Sequence, residues 1–89
     1  MKSSSYNPHL KAAYLEVVEN QLRDNNPPES RQTFERLLLE GFKDNDAKVL
    51  IASVIAAETY QMMKSGTVFN HIRFVRNHNR LPDQSFESE

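Results

Sequence analysis

Eighty-nine residues with 38% hydrophobic content describe one small domain, and a chain of this length buries only roughly 60–65% of its unfolded surface. With no cysteine, disulfides and thiolate metal sites are excluded, and 11 Lys and Arg against 12 Asp and Glu leave a net charge of -1, which supplies no global attraction to nucleic acid or an anionic membrane. No run approaches the roughly 20 apolar residues of a membrane span and the start lacks a signal-peptide core, so the expectation is a soluble cytoplasmic protein with no membrane partner.

Residues 1–6 are polar and are expected to be disordered. Asn7 followed by Pro8 reads as an N-cap with proline at the first helical position, where a missing N–H costs nothing. Leu10, Tyr14, Val17 and Gln21 follow at helical spacing, with Ala13 and Val18 widening the stripe, which predicts a first helix over 8–24. The segment "DNNPPESRQ" breaks it. Asn26 is placed to cap a second helix, with Glu29 three residues on reaching back as a capping box; Phe34, Leu37 and Leu38 form its apolar side, and Gly41 ends it as a left-handed C′ residue.

Asp44 or Asn45 caps the third and longest helix, predicted over 46–65 with Gly66 just past its end. Asn70 caps a short fourth helix over 71–79 that presents Ile72 and Val75 and stops before Pro82. Residues 83–89, "DQSFESE", are acidic and expected to be disordered. Few glycines and short links argue against an all-β chain. The expectation is an all-α, antiparallel four-helix domain over 7–82, with the third helix central because it is apolar on more than one side.

The third helix carries one conspicuous charge. Ala47, Ile51, Val54 and Glu58 fall on one stripe, so the carboxylate continues the apolar face and requires a partner. If the second and third helices run antiparallel about Gly41, equal rises of about 1.5 Å per residue bring Arg31 level with Glu58 and place Gln21 nearby. The expected structural polar cluster is therefore Glu58, Arg31 and Gln21. A catalytic Glu58 would need a second titratable group at that level, and none is visible in the sequence.

The motifs "NPHL", "VENQL", "NNPPESRQTFERLLLEGF", "IASVIAAE" and "RLP" resemble a group of small all-helical bacterial proteins of unknown function, over about residues 7–82. The resemblance implies histidines at the positions held here by Lys11, Leu15, Asn45 and Val49, where two imidazole pairs at i, i+4 would make a four-nitrogen metal site. This chain has none of the four. Glu19, at i+4 from Leu15, cannot hold a metal by itself, and His9, His71 and His78 have no mutual spacing that builds a site; His71 and His78 are expected at the surface. No metal and no cofactor are expected.

Replacement of those histidines leaves a second apolar seam. Leu15, Val18 and Leu22 on the first helix and Val49 and Met63 on the third, with Ala52 and Ala56, either form a homodimer interface or are covered within the monomer by the fourth helix and tail. Arg73, Arg76 and Arg80 fall within about 60° of arc and could hold phosphates, but three arginines near a helix C-terminus are more often a solvated face, so nucleic acid is the lesser reading. The favoured reading is a non-enzymatic interaction or accessory module. Its alternative, from another class, is a metal-dependent or hydrolase-like activity using Glu19 and Glu58.

Overall fold

The computed structural model describes residues 8–86, with only the backbone of Pro8. The expected disorder of 1–6, the cap at Asn7 and residues 87–89 of the acidic tail lie outside the described residues. Four helices make up the domain: α1 (Pro8–Asp24), α2 (Pro28–Leu39), α3 (Asp44–Ser65) and α4 (His71–Arg80). The described residues contain no strand, and the fold is an all-α four-helix domain.

Side-chain pairs between helices give the directions. Glu29 meets His71 and Arg36 meets the His78 carbonyl, both pairs 42 positions apart, so α2 and α4 run parallel. Each antiparallel hairpin turns on a glycine, at Gly41 between α2 and α3 and at Gly66 between α3 and α4. α2 and α3 each touch all three other helices, while α1 and α4 do not pack on each other. The core between them is built from Val18, Leu22, Leu37, Ala47, Ile51, Val54, Phe74 and Leu81.

The helix ends are set by local chemistry. Gly41 has φ +102°, and its N–H donates to the Leu38 carbonyl (3.0 Å) while Phe42 N–H donates to the Leu37 carbonyl (3.1 Å). These two bonds form a Schellman motif, in which the residue after the glycine packs back over the last turn; Leu37 is buried and Phe42 lies against the core. Gly66 at φ +67° ends α3, donating to the Met62 carbonyl (2.9 Å). Asn70 caps α4 as expected, its side-chain oxygen accepting from Arg73 N–H (3.0 Å).

Two caps differ from expectation. α2 starts from Pro27 without a side-chain cap, after a cis Asn26–Pro27 bond, so Asn26 and Glu29 do not form a capping box. α3 starts two residues early, at Asp44, with Lys43 as N-cap. Asp44 sits inside the first turn, where a negative charge suits the helix dipole, and forms an ion pair with Lys48 one turn on (2.8 Å).

The seams also differ. On α1 the core-facing side runs through Tyr14, Leu15, Val18 and Leu22, while Leu10 and Val17 are exposed. The seam read as surplus is therefore the one that packs within the chain. Val49 is half-buried, and of the five proposed interface residues only Met63 is largely exposed, at 78%. On α2, Leu38 and Leu39 face outward; Ser30, Thr33 and Leu37 are buried, with Ser30 against Gln21 of α1 and Thr33 beside Val75 and Asn79 of α4.

The fourth helix departs most. Its buried residues are Arg73, Phe74, Asn77 and His78, whereas Ile72 is 64% exposed. Leu81, just past its end, is buried, and Phe86 packs against the core, with Gln84 donating to the Ser53 hydroxyl (3.0 Å). The start of the segment read as a disordered tail thus lies against α3.

Candidate functional site

Glu58 sits where α3 faces the N-terminus of α4, and is 3% exposed. Arg73 grips it with two bonds, Nε to Oε1 at 2.8 Å and Nη2 to Oε2 at 2.9 Å. The backbone N–H of Asn70 donates to Oε2 at 3.0 Å. Asn70 thus serves both partners of the corner, capping α4 with its side chain and binding α3's carboxylate with its main chain. The positive end of the α4 dipole adds to the attraction.

This two-pronged geometry is the strong form of a carboxylate–guanidinium contact. It holds the Glu58 carboxyl below its ordinary value: the Arg73 hydrogen bonds lower it most, burial acts against them, and the Asn70 N–H and the Arg73 charge lower it further.

The partner is not Arg31. That side chain donates from Nη1 to the Leu22 carbonyl (3.2 Å) and pairs with Glu35 on its own helix (3.5 Å), satisfying the C-terminal end of α1. Gln21 likewise turns to α2, its Oε1 accepting from the Ser30 hydroxyl (2.6 Å). Equal-rise register brings the beginning of α2 near the level of Glu58, but it does not fix azimuth: α4, absent from that construction, supplies the cation.

Arg73 is consequently taken out of the proposed phosphate stripe, being 6% exposed and committed to Glu58. Arg80 donates to the Ser85 carbonyl (2.6 Å) and Arg76 remains on the exposed side of α4. The three arginines do not act as one surface.

The two carboxylates of the hydrolase-like alternative also stand apart. Glu19 pairs with Lys48 (2.9 Å), which simultaneously holds Asp44 (2.8 Å) and lies 5.8 Å from the Phe34 ring centre. The hydrogen bonds to Asp44 and Glu19 raise the Lys48 amine above its ordinary value. Lys48 and Glu58 are about 15 Å apart along α3, so Glu19 and Glu58 belong to separate ties. Among the described residues no three His, Cys, Asp or Glu side chains converge on a point.

Beside the Glu58–Arg73 pair lies a cleft of about 360 Å³, walled by Ile55, Met62, Phe69 and Phe74 with Gln21 and His71 at its edge. Phe69 stands edge-on to Phe74 at 5.1 Å, a favourable aromatic arrangement. On the other side of the loop, Val68 (83% exposed) and Ile72 line a shallower depression. With Phe69, they put exposed apolar side chains on the α3–α4 corner; Tyr60 and Met63 are exposed along α3.

At the far end of α4, His78 is fully enclosed, contrary to its expected surface position, while His71 is exposed. The periodicity of apolar residues gave no sign of this, because the buried face of α4 is largely polar. The available signal was Phe74 and His78 at i, i+4 with Leu81 three further on, which is one continuous stripe once His is counted as packable.

No protein-family model, curated protein or solved structure matches the chain.

Proposed function

We propose that the chain is a non-enzymatic interaction or accessory module whose contact face is the α3–α4 corner. One observation carries this reading: Val68, Phe69 and Ile72 leave apolar surface exposed around one depression at a corner tied by Glu58, Asn70 and Arg73. A clustered apolar surface on a small domain calls for cover by another chain, whether a second copy or a different protein. The separation of Glu19 from Glu58, each bound to its own cation, supports the same reading.

The test compares wild type with Val68→Ser/Ile72→Ser. Light scattering coupled to size exclusion reads self-association, and capture from a lysate, quantified by mass spectrometry, reads other partners. The expected result is loss of self-association or of specific captured proteins in the double variant, with its helical circular dichroism unchanged. A wild type that stays monomeric at high concentration and captures the same proteins as the double variant would overturn the reading.

A further inference from the structure

The seam between α2 and α4 contains an imidazole nitrogen and a carboxylate oxygen that are buried without a hydrogen-bond partner, His78 Nε2 and Glu29 Oε1. His78 Nδ1 lies 2.9 Å from the Phe74 carbonyl, and a carbonyl can only accept, so Nδ1 carries the hydrogen and Nε2 the lone pair. The ring packs on Phe74 at 4.3 Å between centres. A second proton would place a positive charge at Nε2, which has no hydrogen-bond partner, in a volume that water does not reach.

The charged groups around His78 do not offset this. From α2, Glu29 favours the imidazolium and Arg36 opposes it, and Arg36 already donates from Nη2 to the His78 carbonyl (3.1 Å). From α3, the carboxylate that faces α4 is Glu58, committed to Arg73. Beyond the helix, Asp83 is engaged by Ser85, whose carbonyl accepts from Arg80. Burial dominates and holds the imidazole below its ordinary value.

At the other end of α4, His71 Nε2 lies 3.6 Å from Glu29 Oε2 at the exposed start of the helix. The same first turn is fastened by Glu58 to Asn70 N–H and Arg73. The start of α4 is therefore fastened independently of the end that carries His78.

We infer that α4 is an acid-operated flap: protonation of His78 releases the second half of the helix and Leu81 from α2 and α3, while the first turn stays hinged at Glu58. The release uncovers apolar surface on Leu37, Phe74 and Leu81 that is closed at neutral pH.

Amide hydrogen exchange on the full chain, followed by NMR at about pH 7 and about pH 5.5 and corrected for intrinsic rates, tests this. Protection at residues 77–81 is expected to fall by up to about tenfold on acidification while the amides of Phe74 and of α1–α3 keep theirs. His78→Phe is expected to abolish the difference. Should His78→Phe fail to fold, the His78 Cε1 resonance of wild type serves instead, and must titrate together with the loss of protection. Uniform loss across all four helices, unchanged protection at 77–81, or the same loss in His78→Phe would each overturn the flap.

Discussion

Glu58 and Arg73, 15 positions apart, meet as a fully enclosed two-bonded ion pair that locks α4 onto α3. Its weight comes from what either partner leaves behind when the other is removed. A buried pair contributes little net stability relative to well-packed apolar residues, but a stranded buried charge is expensive.

Arg73→Ala is accordingly expected to cost about 3–5 kcal/mol in urea unfolding, whereas Arg31→Ala, which loses one carbonyl bond and an exposed ion pair, costs about 1 kcal/mol. The double change Glu58→Leu/Arg73→Met restores most of the loss. Equal, small effects of Arg73→Ala and Arg31→Ala would contradict the pairing.

The pair also sets an acid limit. Because the folded Glu58 carboxyl titrates below its ordinary value of 4.5, the unfolded chain takes up that proton first. The stability it contributes is complete above the ordinary carboxylate range and is lost as pH falls from there through the folded value. Unfolding midpoints measured from pH 6 downward are expected to decline steeply in this window for wild type and more shallowly for Glu58→Gln.

Outer and inner apolar residues are expected to separate cleanly. Leu37, fully buried at the hub of α2, should cost about 2–5 kcal/mol on change to Ala through the cavity it leaves. Val68→Ser and Ile72→Ser fall within about 0.5 kcal/mol of wild type, because both side chains are largely exposed. Thermal or urea unfolding of the three variants decides it; a large loss from the corner substitutions would mean that they serve the fold rather than a partner.

At Gly66 no atom of the described residues, its chain neighbours aside, lies within 4 Å of where a Cβ would stand, so the obstacle to a side chain is the backbone angle of +67°. Gly66→Ala is expected to cost about 1–2 kcal/mol, with Gly66→Asn costing less because asparagine tolerates the left-handed region. Equal losses for the two would point to a steric cause instead.

Helix number, order and most boundaries were legible in the sequence because they follow from interactions within a turn or two: proline at the start of α1, glycine at Gly41 and Gly66, asparagine capping at Asn70, and period-3.6 apolar residues between. That Glu58 lies on the inner face followed from the same periodicity. Tertiary structure decided the rest. Leu10, Val17, Leu15, Val18 and Leu22 offer two adjacent stripes on one helix, and only the positions of α2 and α3 choose the second. Depth along a bundle can be counted from rises, but the direction in which Arg31 or Arg73 points depends on which helix stands opposite, and α4 stands opposite Glu58. The inward turn of His78 was hidden for a related reason: burial of a polar residue is settled by the neighbours that enclose it, and a one-dimensional hydrophobic pattern carries no record of them.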